Sequence, residues 1–264
     1  MPTVLAVMAH PDDIEITCAG TLVLLRRSGW DVHLATMTPG DLGSRNLTRP
    51  GISRVRLEEA AASAALLDAG YTCLGSSDLL VTADEATKRR VTALIRKVRP
   101  DLIVVPSPED YMDDHRVTPQ VVREAAFGST IPNWEATLDG ETPPCAERLP
   151  AILYADPIGL EDFAGRRVPA RIVVDITGAI EEKSRMLEAH ASQREWLRAQ
   201  HGEDEYILSM RRWSADRARN FRRRAVKFAE GFNPHLGHGF PREDVLTKAL
   251  GKKLVRSFAA GAEE

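Results

Sequence analysis

Apolar residues come first in short uninterrupted runs and then at helical spacing, and the two patterns alternate along the chain. Residues 3 to 9 are a nearly continuous apolar run with β-branched members, the signature of a strand buried on both faces. A polar turn, His10-Pro11-Asp12-Asp13, follows at once. From Ile14 the spacing turns helical, with Ile14, Cys18, Leu22 and Leu25 on one face until Gly29 supplies a stop. Trp30 to Met37 predicts a second strand, and residues 38 to 44 a loop.

The alternation continues. An Ala-rich helix is expected from about Ser53 to Asp68, a short strand at Tyr71 to Leu74, a helix at Asp84 to Val98 and a strand at Leu102 to Val105. Such an order predicts an α/β fold: a Rossmann-like three-layer sandwich, with a mainly parallel sheet, helices on both faces, and ligands beyond the carboxyl ends of the strands. Two polar loops, residues 10 to 13 and 107 to 115, fall there. Residues 128 to 150, rich in Pro and Gly, read as an insertion near the site or a surface connection. Strands are expected at Ala151 to Ala155 and Arg171 to Ile176. A helix is expected from Gly178, with Ile180, Leu187 and Ala191 on one face, and another from about Glu203 to Ala229.

Composition narrows the function classes. With 35 Lys plus Arg against 38 Asp plus Glu, the net charge of −3 argues against nucleic acid or an anionic membrane as partner. Cys18, Cys73 and Cys145, with no CxxC spacing, form neither a disulfide framework nor a thiolate zinc site. The first nine residues lack the basic start of a signal peptide, and no stretch approaches the roughly 18 uncharged residues of a membrane helix. The expectation is a soluble cytoplasmic protein. Residues 211 to 224 carry seven Arg and one Asp, a local +6 that leaves −9 for the rest. That segment reads as a solvated or paired helix face, a subunit contact, or a site for an anionic substrate group.

His10, Asp12 and Asp13 put an imidazole and two carboxylates on the turn leaving the first strand, and the loop after the fourth offers Asp110, Asp113, Asp114 and His115. A catalytic zinc takes three protein ligands and keeps one position for water. His10, Asp13 and His115 are an N and O donor set that suits Zn²⁺ and also admits Fe²⁺. Each loop taken alone could instead cap the helix that follows it.

Ala9-His10-Pro11-Asp12-Asp13-Ile14-Glu15 with Gly20-Thr21 resembles the first signature of the PIG-L/LmbE-like zinc-dependent N-deacetylases, enzymes of N-acetylglucosaminyl compounds. Thr38-Pro39-Gly40-Asp41 is similar to the family's T-x-G-[DE] loop, and Arg56-Leu57-Glu58-Glu59 to its R-x-x-E. Asp110 to Arg116 resembles the second histidine motif, and Lys183 with His190-Ala191-Ser192-Gln193 the K…H-x-S-Q helix. Ala229-Glu230-Gly231-Phe232 is similar to the AEGF that often closes the catalytic domain. The likeness spans about residues 3 to 232, so residues 1 to 232 are expected to form one catalytic domain and 233 to 264 a C-terminal extension.

The resemblance implies zinc on His10, Asp13 and His115, Asp12 as general base, and Asp114 as a group that orients the site. It further implies Arg56 toward the sugar and Asp41 at the pocket rim. Residue by residue, Arg56 could equally pair with Glu59 on its own helix, and Asp41 could simply form a turn. His190 and Gln193 would brace the pocket floor or be satisfied core groups. Many members carry a helper histidine in the second motif where this chain has Met112, which cannot donate a hydrogen bond. His235 and His238 are replacement candidates if their Gly-rich loop folds over the pocket, and otherwise ordinary surface histidines. Trp134, in the irregular stretch, is the tryptophan placed for sugar stacking, with simple burial the equal alternative.

The expected activity is removal of acetyl from an N-acetylated amino sugar or its glycoside, a small-molecule substrate, in a chain that admits homo-oligomers. Alternatives are an amidase on another N-acyl substrate, such as a thiol-conjugate amidase, and a non-catalytic ligand-binding homologue. A dinucleotide-binding oxidoreductase is disfavoured, since the first turn lacks G-x-G-x-x-G.

Overall fold

A computed structural model describes residues 1–194 and 205–258. Strands β1 (Thr3–Met8), β2 (Asp31–Thr36), β3 (Gly70–Cys73), β4 (Leu102–Val105) and β5 (Ala151–Ala155) run parallel. β6 (Ile172–Asp175), β7 (Ala229–Pro234) and β8 (Val255–Ser257) complete one sheet in the order β3-β2-β1-β4-β5-β7-β6-β8, with antiparallel pairing from β5 onward.

The unbroken apolar runs follow from burial on both faces. In β1, Val4, Ala6 and Met8 feed one core and Leu5 and Val7 the other; in β4, Leu102 and Val104 join the first core and Ile103 and Val105 the second. Helices α1 (Asp13–Thr17), α2 (Ala19–Arg27), α3 (Arg49–Ala65) and α6 (Ile180–Glu188) border the first core, with α7 (Glu205–Ala218) and α8 (Val245–Leu250). α4 (Glu85–Val98) and α5 (Asp113–Gly128) cover the other face. The three layers match the expected sandwich. β8 and the buried Leu246 of α8 belong to the same sheet and core, although both follow residue 232.

Chain order reverses between β1 and β4, whose carboxyl ends lie side by side at the topological switch point. Both polar loops leave from there.

Two local expectations are corrected. The helix after β1 breaks at Cys18 (φ −140°) into α1 and α2. The break frees the Gly20 and Thr21 N–H groups, which donate to Glu230 at 2.8 and 2.7 Å, while Lys183 Nζ pairs with the same carboxylate at 2.6 Å. The helix expected to reach Ala229 ends at Ala218, is followed by a 3₁₀ turn over residues 219–221, and stops at Arg222 in the left-handed region (φ +54°). Ala229-Glu230-Gly231-Phe232 forms the first part of β7, which hydrogen-bonds β5 on one side and β6 on the other. No helix of the described residues is long and apolar enough to cross a membrane.

Candidate metal centre and active site

The turn after β1 holds an unusual backbone. Asp12 sits at φ +105°, a region non-glycine residues rarely adopt. The Asp12 carbonyl accepts the Ile16 N–H at 3.0 Å, and the Pro11 carbonyl accepts from Arg56 Nη2 at 2.6 Å. The two consecutive carboxylates therefore serve different partners: Asp13 joins the histidines, and Asp12 meets Arg56 and Tyr206.

His10 Nδ1, Asp13 Oδ2 and His115 Nε2 form a triangle with sides of 3.2, 3.5 and 3.4 Å. Zinc bonds of about 2.0–2.1 Å in a tetrahedral arrangement separate ligands by about 3.3–3.4 Å, so the donor set fits such an ion. Each imidazole is oriented by a carboxylate on its outer nitrogen: His10 Nε2 lies 3.1 Å from Asp114 Oδ2, and His115 Nδ1 lies 3.0 Å from Asp110 Oδ1. Asp114 also accepts the Leu79 and Val81 N–H groups at 2.6 and 3.1 Å, tying the loop after β3 to the site. Asp113 lies outside, paired with Arg116 at 3.2 Å.

The electrostatics ask for a cation. Burial works against charge on His10, yet its hydrogen bonds to Asp114 and Asp13 push its pKa up to about 10, and His115 is raised by Asp13 and Asp110 against the same desolvation. Asp13 is held well below the usual carboxylate range, the His115 and His10 charges overcoming its burial.

Asp12 differs: desolvation raises its pKa, only partly offset by Arg56. Tyr206 donates to Asp12 Oδ2 at 2.6 Å and Arg56 Nη2 to the same oxygen at 3.3 Å. Gly40 (φ +73°) and Gly43 make room for Arg56, because a Cβ on either would fall within 2.8 Å of the guanidinium. Behind Asp12, fully buried His190 pairs with Glu15 at 3.3 Å, and Ser63 donates to Glu15 at 2.5 Å.

A cavity of about 540 Å³ opens over these groups. Arg56 Nε and Asp78 Oδ1, on two residues of its lining, are enclosed and without a hydrogen-bond partner. Leu42, Leu79 and Tyr111 form an exposed apolar mouth, Met112 and Ile158 extend it, and Tyr206, Ser209 and Trp213 line it from α7.

Other expected residues lie elsewhere. Asp41 is absent from the lining, because its carboxylate is engaged by Arg49 and the Asp78 N–H. Arg56 does not pair with Glu59, which instead accepts from the Ser192 backbone and hydroxyl at 2.8 and 2.6 Å. Gln193 lines the cavity. Trp134 does not: its indole donates to Thr92 and Arg89 stacks on its ring. His235 bonds Tyr154 and packs on Phe240, and neither it nor exposed His238 lines the cavity. In the Arg-rich segment, Arg211 pairs with Glu181, Arg219 with Asp216, and fully buried Arg217 grips Asp156 at 2.8 and 2.9 Å.

Sequence reasoning missed Asp78, Tyr206 and Trp213. Asp78 had a usable signal, a carboxylate just beyond a third parallel strand. Tyr206 and Trp213 had none, since an aromatic on an amphipathic helix reads as core.

Residues 5–126 match the model of the PIG-L family, described as GlcNAc-PI de-N-acetylase. Diacetylchitobiose deacetylase of Thermococcus kodakarensis is 28% identical over 198 residues, 72% of this chain and 69% of the relative. 4-Oxalmesaconate hydratase of Pseudomonas putida is 30% identical over 129 residues, 46% of this chain and half of the relative's length. The solved N,N'-diacetylchitobiose deacetylase of Pyrococcus horikoshii superposes with a TM-score of 0.73 at 25% identity, covering 92% of this chain and 88% of that one.

Proposed function

The chain belongs to the PIG-L family, and we propose that it is a metal-dependent amidohydrolase that removes the acetyl group from an N-acetylated amino sugar or its glycoside. The observation that carries this reading is the triangle of His10, Asp13 and His115 donors beside Asp12, whose Oδ1 takes no hydrogen bond from a described residue. The N and O donors favour Zn²⁺, with Fe²⁺ as the second choice. When bound, such an ion polarises an amide oxygen and makes a water acidic near neutral pH.

Asp12 would accept the proton of the attacking water at Oδ1 as the water oxygen adds to the amide carbon. It returns the proton to the nitrogen as the C–N bond breaks, giving acetate and a free amine. His10 and His115 are kept in one orientation by Asp114 and Asp110. Arg56 and Asp78, a guanidinium and a carboxylate on the lining of the cavity, suit sugar hydroxyls. The apolar mouth suits the face of a sugar ring or an apolar substituent on it. In this reading residues 1–232 carry the catalytic groups, the C-terminal extension completes the same sheet and core with β8 and α8, and the enzyme works on small molecules in the cytoplasm.

A second reading, hydration of an unsaturated polycarboxylate, follows from the hydratase relative. The cavity lining opposes it. Among the described lining residues Arg56 is the one guanidinium or ammonium, already donating to Pro11 and Asp12, and Asp12, Asp13 and Asp78 are acidic. A substrate panel separates the readings. Acetate release from N-acetylglucosaminides supports the proposal; release only from other N-acyl amines moves it to a different amidase; water addition to an unsaturated polycarboxylate with no acetate release overturns it.

A further inference from the structure

We infer that Tyr206 is a positioning residue for the reaction, one that fixes which oxygen of Asp12 receives the proton. The inference rests on the amidohydrolase reading and adds to it a residue that no sequence motif marks.

Tyr206 stands on α7, nearly two hundred residues from the turn it serves, and it is buried and lines the cavity. Its hydroxyl reaches Asp12 Oδ2 at 2.6 Å, a separation of the kind that hydrogen bonds to an ionised acceptor adopt. Arg56 Nη2 is aimed at the same oxygen from the opposite element, α3, at 3.3 Å. Two donors from two helices thus converge on Oδ2, and none among the described residues meets Oδ1. A carboxylate has two chemically equivalent oxygens and turns freely about its Cβ–Cγ bond unless something breaks the equivalence. Here Oδ2 is loaded and Oδ1 is left without a donor among the described residues, on a side chain that lines the same cavity as His10, Asp13 and His115.

The strained turn needs this help. With φ at +105°, Asp12 has been turned away from its neighbour Asp13, whose Oδ2 accepts the His10 N–H at 2.8 Å. The backbone thereby separates two adjacent carboxylates into two roles, but it does not set the Asp12 side-chain torsion. Tyr206 does, and its own ring is seated in the apolar core of α7 beside Met210. A mispositioned base costs about 10²-fold when reacting atoms shift by about 1 Å.

The account balances simply. The water proton moves to Asp12 Oδ1 while the oxygen forms its bond to carbon, and Tyr206 keeps its own proton throughout as a donor to Oδ2.

The test is a double-mutant cycle on the metal-loaded full chain, using an N-acetylglucosaminide as substrate. Tyr206→Phe removes one oxygen and keeps the packed ring; circular dichroism and metal content are expected to match wild type. Its kcat is expected to fall about 10- to 100-fold with KM unchanged, and in the Asp12→Asn background the same substitution is expected to have no further effect. Unchanged kcat in Tyr206→Phe, an effect confined to KM, or the same fold-loss with and without Asp12 overturns the inference while leaving the amidohydrolase reading intact. Full activity of Asp12→Asn overturns both. Should Tyr206→Phe fail to fold, Tyr206→His, which keeps an aromatic ring and a donor, is expected to retain more kcat than Tyr206→Leu, and equal kcat in the two variants overturns the inference.

Discussion

Asp114 grips His10 by its outer nitrogen, with Oδ2 at 3.1 Å from Nε2, so that Nδ1 is the nitrogen turned toward Asp13 and His115. The carboxylate therefore selects the imidazole tautomer as well as its orientation. Asp114→Asn is expected to weaken metal affinity about 10- to 100-fold, as measured by competition with a chromogenic chelator. Affinity equal to wild type would contradict the arrangement.

Arg56 offers a second handle. Its Nη2 donates to Pro11 and Asp12, and the residue lines the cavity. Arg56→Lys keeps the charge but loses the fork. Loss of one charged hydrogen bond, worth about 1.5–3 kcal/mol, predicts kcat/KM lower by about 10- to 100-fold with metal content unchanged. Initial rates comparable with wild type would remove Arg56 from the site.

The buried His190–Glu15 pair sets a pH dependence of stability. Burial opposes both charges, yet Glu15 raises the His190 pKa above its ordinary 6.5, and His190 lowers that of Glu15 below its ordinary 4.5. The His190 contribution is complete below the unfolded pKa and is lost as pH rises through the elevated folded value; the Glu15 contribution is complete above 4.5 and lost as pH falls through the depressed value. His190→Gln is therefore expected to lower Tm most between these limits, and the gap to wild type is expected to close at alkaline pH. A gap that stays constant from pH 6 to pH 10, or widens, would contradict the pairing.

Arg217 lies in the basic segment but contributes no surface charge. Fully buried and bidentate to Asp156, it also donates to the Val168 carbonyl at 2.8 Å. Removing one member of a buried pair strands the other, at a cost of about 3–5 kcal/mol. Urea unfolding of Arg217→Met is expected to register that loss, and adding Asp156→Leu to recover most of it. A single-variant change below about 1 kcal/mol would show the pair to be dispensable.

How much of this was legible in the sequence follows from the range of the interactions. β1 and β4 announced themselves because burial on two faces leaves continuous apolar runs, and the ligands stood next to them at strand ends. The strand at Ala229–Pro234 did not, since its partners lie far away in sequence at β5 and β6 and nothing local distinguishes it from the end of a helix. Glu230 looked like part of a closing motif, whereas it caps the start of α2. Tyr206 and Trp213 reach the cavity only because α7 packs across the sheet. Asp41 looked functional by its motif and Trp134 by its place in the irregular stretch, and local hydrogen bonds claimed both.

The most direct test of a metal-dependent N-deacetylase is to strip the purified chain with a chelator and titrate Zn²⁺ back while following amine release from an N-acetylglucosaminide. The account predicts that activity disappears on stripping and returns to a maximum at one ion per chain, and that His115→Ala cannot be restored. Amine release that survives complete metal removal, or none from any N-acetyl amino sugar by the fully loaded protein, would contradict it.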